Sequence, residues 1–293
     1  MTQIPAVSVL VTVHNREKYL SACIDSILAS TWRDFEVVVV DDRSTDASVA
    51  IAERAAARDE RVRVVSNEAN FGDYPNRMRA ASLARGTYIK YLDSDDLIYP
   101  HGLRVMVEAM EAHPDAALGL SHSRLQDENP YPWLLSPVEA WRKEFLGDGC
   151  MGCGPSGTII RREKFFEAGG FHSRGVLSDT EMWYRMSARW PLLLLPPGLV
   201  WWRRHEDQEF TKGDASYRYI EEGFKVAEDC LASFNSPLSS SETAIAIRRS
   251  RQHHARRLLA LSLRKRRPGE GFRLWRKAGF SMGDVVRGLK PNQ

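Results

Sequence analysis

The chain has 293 residues, 43% hydrophobic and 27% charged, enough apolar material for a buried core and too much for a disordered chain. No apolar run approaches the roughly 18 residues that a membrane-spanning helix needs; the longest candidate, Pro191 to Trp202, is short and broken by prolines and Gly198. The net charge of +3 conceals a division, because residues 1–239 carry −8 and residues 240–293 carry +11, an acidic body joined to a basic tail.

Elements of two kinds alternate through the first hundred residues. Val7 to Val13 is a β-branched apolar strand, followed by a helix over Lys18 to Ala29 with Leu20, Ile24, Ile27 and Leu28 on one side. Phe35 to Val40 is a second buried strand, and Ser44, Thr45 and Asp46 supply capping chemistry for a helix running to Arg58. Val62 to Ser66, Tyr74 to Ala84 and Tyr88 to Leu92 continue as strand, helix and strand. Three strand–helix–strand units in succession predict an α/β fold with a doubly wound, mainly parallel sheet flanked by helices.

The later part is less regular. A helix is expected over Val105 to Ala112, a strand over Ala116 to Ser121, and a long loop, rich in Pro, Gly and Trp, from Arg124 to Gly157. Thr158 to Arg161 reads as a strand, Asp179 to Trp190 as a helix, Leu192 to Leu195 and Leu199 to Trp202 as strands, and Tyr217 to Ala232 as a helix. Ser233 to Ser241 reads as a linker. The expected division is a body over 1–234, with halves 1–100 and 101–234, and a linker with a basic amphipathic helical tail over 235–293.

Sheets of this class bind ligands at the carboxyl ends of their strands. Thr12, His14 and Asn15 close the first strand, Asp41 and Asp42 the second, Asn67, Asn70 and Gly72 follow the third, and Asp93, Asp95 and Asp96 the fourth. So much negative charge on one rim repels itself unless something positive binds there. Oxygen ligands of this kind suit Mg²⁺ or Mn²⁺ completed by substrate phosphates; the alternative is that Asp95 or Asp96 caps the next helix. Cys150 and Cys153 form a Cys-x-x-Cys pair, but no second pair completes a zinc site and no helix start stabilises a thiolate. Cys23 and Cys230 read as core thiols.

Taken together, Val7–Asn15 (VSVLVTVHN), Val40–Asp46 (VDDRSTD) and Gly86–Asp96 (GTYIKYLDSDD) resemble the family 2 glycosyltransferases of the GT-A fold, over about residues 6–205. The resemblance implies a nucleotide contact at Thr12, Val13 and His14 with Asn15 beside them. It implies a base contact at Asp42 or Asp41, and a metal and diphosphate site at Asp95 with Asp93 as the other member of an Asp-x-Asp pair. Arg43 stands where the family commonly has glycine. Leu177–Arg185 (LSDTEMWYR) is similar to the family's acidic pair before an apolar helix, which places Asp179 as the catalytic base and leaves Glu181 as the alternative. Trp202–His205 (WRRH) is similar to an aromatic-Arg-x-His segment, making His205 a metal ligand, and Gly154–Gly157 matches an acceptor-side turn.

The implied reaction is an inverting, metal-dependent transfer of a sugar from a nucleotide diphosphate sugar, with uridine diphosphate first among the donors, to a hydroxyl of a glycan or lipid-linked acceptor. A nucleotidyltransferase and a non-catalytic nucleotide-sugar-binding protein are the rivals. The acidic body argues against nucleic acid. For the tail, contact with an anionic membrane competes with packing on the body. Met1 to Pro5 carry no basic stretch leading into an apolar core, so a cytoplasmic address, extending to the inner face of the cell membrane, is expected.

Overall fold

The computed structural model describes residues 4–121, 129–206, 208, 218–233, 235–264 and 266–288. Its strands are β1 (Val7–Val13), β2 (Phe35–Asp41), β3 (Val62–Ser66), β4 (Tyr88–Tyr91), β5 (Leu97–Ile98), β6 (Leu118–Ser121), β7 (Trp133–Leu135), β8 (Thr158–Arg161), β9 (Leu192–Leu195) and β10 (Val200–Trp201). Its α-helices are α1 (Leu20–Leu28), α2 (Ser48–Arg58), α3 (Asp73–Leu83), α4 (Gly102–Ala112), α5 (Pro137–Leu146), α6 (Arg162–Glu167) and α7 (Ser178–Ser187), then α8 (Arg218–Leu231), α9 (Ser240–Arg264), α10 (Pro268–Lys277) and α11 (Met282–Gly288).

The main sheet runs β3-β2-β1-β4-β8-β6-β9-β7, and β5 pairs with β10 in a separate antiparallel ribbon. The first four strands are parallel, as their β–α–β succession requires. β8 then enters antiparallel to both β4 and β6, so the second half of the chain closes the sheet in mixed fashion. Alternation along β1 sends Val7, Val9 and Val11 into a core with Leu20, Ile24 and Ile27 of α1 and Met106 and Met110 of α4. Leu10, with Val38 and Val40 of β2, faces the other layer, where Ala80, Ala81, Trp141 and Trp183 pack. Both faces are covered, which is why β1 and β2 read as continuous apolar runs.

One polar knot interrupts this core. The Ser8 hydroxyl donates to Glu36 Oε1 (2.7 Å) and accepts from the Gly86 N–H (2.8 Å). A side chain at residue 86 would place its Cβ 2.5 Å from the Ser8 nitrogen, so only glycine fits where β4 begins. Burial pushes the Glu36 carboxyl up, but the Ser8 hydroxyl and Arg85 outweigh it and hold it below the ordinary range.

The expected loop from Arg124 to Gly157 is corrected by the structure. Residues 124–128 lie outside the described residues, but β7, α5 and a 3₁₀ turn over Pro155–Gly157 follow. The start of α5 is a capping box: Glu139 Oε2 accepts from the Ser136 N–H (2.8 Å) while the Ser136 hydroxyl accepts from the Glu139 N–H (3.4 Å), and Pro137 fits the first turn. Buried Trp141 anchors the helix by donating to the Ser187 hydroxyl of α7 (3.1 Å). Helix α6 was likewise not foreseen.

The basic tail lies against the body. Ala246 of α9 is part of the main core, and Ala255, Leu258 and Leu261 pack with Ile220 and Phe224 of α8, Leu274 and Phe280. Ion pairs tie Glu242 to Arg142 (2.7 Å), Arg251 to Glu228 (3.2 Å) and Lys277 to Glu221. The outward side exposes Leu259, Leu263, Phe272 and Met282 among arginines. No helix among the described residues is long and apolar enough to cross a membrane.

Candidate active site

Because β1 to β4 are parallel, their closing loops share one edge of the sheet. Thr12 and Val13 end β1 opposite Val40 and Asp41, and the Val13 carbonyl accepts from the Asp42 N–H (2.7 Å). The two loops are laced together beyond that point. Asn15, at φ +52°, donates its N–H to the Ser44 hydroxyl (2.9 Å) and accepts from the Thr45 N–H at Oδ1 (2.8 Å). His14 Nδ1 lies 2.9 Å from the Asp42 carbonyl, which fixes the proton there, and the Asn15 and Asn70 amides lie 3.3 and 3.4 Å from Nε2.

Asp41 and Asp42 are both buried but differently employed. Asp42 Oδ1 accepts from Asn67 Nδ2 (2.9 Å) and the Phe71 N–H (2.8 Å), and its Oδ2 accepts from the Gly72 N–H (2.9 Å). This carboxylate braces the loop that leads into α3. Asp41 Oδ2 accepts from the Ser44 N–H (3.1 Å), while its Oδ1 is buried without a partner. Of the two carboxylates named for a base contact, Asp41 keeps an acceptor to offer.

The Asp93–Asp96 loop is held by charged groups instead. Asp93 Oδ1 is 2.8 Å from Arg77 Nη1, and the Asp93 N–H donates to the Ser156 hydroxyl (2.9 Å). Asp95 Oδ2 is 2.9 Å from His205 Nε2 and 3.3 Å from Arg16 Nε. Asp96 Oδ1 accepts from the Arg203 N–H (3.0 Å), Ser156 lies beside the carboxyl, and Oδ2 is buried. Burial, reinforced by Asp93, pushes the Asp96 carboxyl up to about 7. Neither Asp95 nor Asp96 caps a helix, because β5 follows and the residue before α4 is His101.

Asp179 and Glu181 open α7 with different surroundings. Asp179 Oδ1 accepts from the Thr180 N–H (2.6 Å), and Tyr74 hydrogen-bonds the same carboxylate. Burial pushes Asp179 up to about 6; the Thr180 N–H and the nearby Arg77 guanidinium restrain the rise. Glu181 is closed in a fork with Arg185 (3.0 and 2.9 Å), whose guanidinium also donates to the carbonyls of Ala168 and Gly170. That carboxylate is engaged in fixing the turn before α7.

The structure therefore brings Asp95 and His205 together and sets Asp93 against Arg77, whose guanidinium also lies near Asp179. Among the described residues no three His, Cys, Asp or Glu side chains are grouped as a ready-made metal cage. The donors still fit a hard divalent ion: cis ligands of an octahedral ion at about 2.1 Å stand about 3 Å apart, and Asp95 Oδ2 and His205 Nε2 are 2.9 Å apart. The Cys-x-x-Cys thiols show no such fit. Cys150 lies against the Ala140 carbonyl and Cys153 against the Ser121 carbonyl, and burial pushes Cys153 up to about 12 and Cys150 further.

Sequence reading passed over Tyr74 beside Asp179 and four further contributors. Arg16 and Arg77 lie in loops and helices where a guanidinium signals nothing by itself. Ser156 fixes Asp93. Lys90 is wholly buried in β4, donates to the Tyr91 carbonyl (2.6 Å) and the Ser156 carbonyl, and is pushed by burial down to about 8. A lysine within an apolar strand just before three aspartates was the one available signal for it.

Comparison with known proteins identifies the fold and the family. EpsJ of Bacillus subtilis strain 168, described as an uncharacterized glycosyltransferase, is 43% identical over 95 residues, 32% of this chain and 27% of EpsJ. The match thus spans about a quarter of that relative. TarS residues 1–349 of S. aureus, solved with UDP-GlcNAc, has the same fold, with a TM-score of 0.69 at 20% identity over 97% of this chain and 81% of that one. The mannosyltransferase PcManGT of Pyrobaculum calidifontis, solved with GDP-Man and Mn²⁺, superimposes with a TM-score of 0.62 at 16% identity over 100% and 89% of the two chains. The sheet is that of the GT-A glycosyltransferases, and the model of the family described as "Glycosyl transferase family 2" matches residues 8–168, more than half of the sequence. The chain belongs to glycosyl transferase family 2.

Proposed function

We propose that this glycosyltransferase is inverting and metal-dependent, moving a sugar from a nucleotide diphosphate donor to a hydroxyl of a glycan or lipid-linked acceptor, with Asp179 as the base. What carries the reading is a half-buried carboxylate, held by the Thr180 N–H and Tyr74 and pushed by burial up to about 6, set apart from a separate Asp95–His205 pair. A general base works best when its pKa lies near the operating pH, and Asp179 meets that condition while Glu181 is spent on Arg185. Asp179 accepts the acceptor proton and Tyr74 orients the carboxylate. His14, Asn15 and the free oxygen of Asp41 receive the nucleotide. Asp95 and His205 would hold the cation, with Asp93, the other member of the Asp-x-Asp pair, beside them in sequence. A bound Mn²⁺ or Mg²⁺ supplies charge neutralisation for the departing diphosphate.

Uridine diphosphate is the first donor nucleotide to test, in keeping with the UDP-GlcNAc bound by TarS, and guanosine diphosphate the second, in keeping with the GDP-Man bound by PcManGT. The outward arginines and exposed Leu263 and Phe272 of the tail support contact with an anionic membrane surface on the cytoplasmic side. The deciding experiment incubates the full chain with a panel of nucleotide sugars and acceptors and scores free nucleotide diphosphate with and without Mn²⁺. Release that needs both Mn²⁺ and an acceptor is expected. Sedimentation with anionic vesicles at low and high salt checks the tail, and equal recovery with neutral vesicles removes the membrane reading.

A further inference from the structure

Arg16 occupies a position that neither loop geometry nor the reaction explains. Its backbone N–H donates to the Ser48 hydroxyl (2.8 Å), which roots the residue at the start of α2. Its guanidinium reaches across to Asp95, with Nε 3.3 Å from the same Oδ2 that meets His205. Its other contacts are to the carbonyls of His14 (3.4 Å) and Asn15 (3.3 Å), both long for N–H···O bonds. Asp95 is thus the one carboxylate this guanidinium meets among the described residues. The side chain is 29% exposed, while the carboxylate it meets is 11% exposed.

We propose that Arg16 and a divalent cation compete for Asp95, and that the displaced guanidinium binds the donor diphosphate. An ion coordinated by Asp95 Oδ2 sits about 2.1 Å from that oxygen, where its double charge repels a guanidinium 3.3 Å from the same atom. Rooted through Ser48, Arg16 pivots within the mouth formed by the closing loops of β1 and β2, where the diphosphate lies. Guanidinium groups pair with phosphate oxygens through two parallel N–H donors. Arg16 therefore acts with opposite signs on the two ligands: it opposes the cation in the nucleotide-free protein and supports the nucleotide in the cation-loaded protein. Residues that merely line the site lower both affinities together.

This rests on the reading of Asp95 as cation ligand and of the rim as a diphosphate site. The test measures Mn²⁺ binding by the paramagnetic resonance of free ion, without nucleotide, and UDP and GDP binding by calorimetry in saturating Mn²⁺. Arg16→Gln is expected to bind Mn²⁺ about 5-fold more tightly, the scale of losing one partly exposed ion-pair competitor. It is expected to bind the nucleotide diphosphate about 10-fold more weakly, the scale of one charge-assisted contact. Arg16→Lys, which keeps the charge without the fork, falls between on both and serves if Arg16→Gln unfolds. Equal or weaker Mn²⁺ binding by a folded variant, or unchanged nucleotide binding, overturns the inference alone. A wild-type chain that binds neither Mn²⁺ nor either nucleotide overturns it together with the reading beneath it.

Discussion

Two loops carry consecutive aspartates onto the same edge of the sheet, and they are built on opposite principles. In the loop after β2, Asp42 is satisfied by three neutral donors clustered in the one segment that joins β3 to α3: the Asn67 amide and the Phe71 and Gly72 N–H groups. In the loop after β4, Asp93 and Asp95 are met by Arg77, Arg16 and His205, charged or chargeable side chains from distant segments. Backbone donors leave only if the loop unfolds, whereas side-chain cations can be exchanged for a ligand. Neighbouring aspartates therefore mark fixed bracing at Asp42 in one loop and exchangeable ion pairs at Asp93 and Asp95 in the other.

Breaking the second loop should cost activity and spare the fold. Asp95→Ala is expected to abolish nearly all transfer and to weaken nucleotide diphosphate binding far more in Mn²⁺ than in chelator, with Tm unchanged. Initial rates and calorimetry check it, and equal binding by variant and wild type removes Asp95 from the cation site.

Asp179→Asn should follow, lowering kcat by roughly 10²–10⁴, the usual scale for loss of a general base, with donor affinity nearly unchanged. In the wild type kcat should fall as pH drops below about 6, where the carboxylate takes up its proton. The folded-state pKa lies above the ordinary aspartate value, so ionisation of this group disfavours the fold at high pH and not at pH 4. Asp179→Asn should accordingly raise Tm at pH 8 and leave it unmoved at pH 4. An active Asp179→Asn beside a silent Glu181→Gln reverses the assignment.

Asp42→Asn should show the complementary pattern. Whichever way the amide is turned, its NH₂ faces a donor, either the Gly72 N–H or the Asn67 and Phe71 donors. One buried donor left unpaired costs about 1–3 kcal/mol, read as a lowered midpoint in urea, while kcat per folded molecule changes little.

The contrast also shows how far sequence reading reached. β1 and β2 were legible because residues buried on both faces leave near-continuous β-branched runs, and the four leucines of β9 form a fully buried apolar run of the same kind. Helix α5 was lost because Pro and Trp in a Gly-rich stretch were read as loop, although Ser136, Pro137 and Glu139 spell a helix start. At the site, the aspartates stood out by spacing, but what distinguishes Asp42 from Asp95 is the identity of their partners. Arg16, Arg77 and His205 lie up to 110 residues from the carboxylates they meet, and no local pattern records such a meeting.

The smallest expected effect tests the brace at its most strained point. Arg43 follows Asp42 with φ +64°, in the left-handed region where a Cβ crowds the following carbonyl at a cost of roughly 1–2 kcal/mol. Its side chain is exposed, so replacement removes no core packing. Arg43→Gly relieves that crowding, and the greater freedom of glycine in the unfolded chain offsets roughly 0.5–1 kcal/mol of the gain. A net stabilisation of about 0.5–1 kcal/mol is expected, or about 2 °C in Tm for a chain of this size. Arg43→Ala keeps the Cβ and should give no gain, which separates backbone strain from the loss of a charge. If instead both variants lower nucleotide affinity alike and neither gains stability, the arginine is held in its strained conformation by what it does for the donor, and it joins Asp41 as a binding residue of the loop after β2.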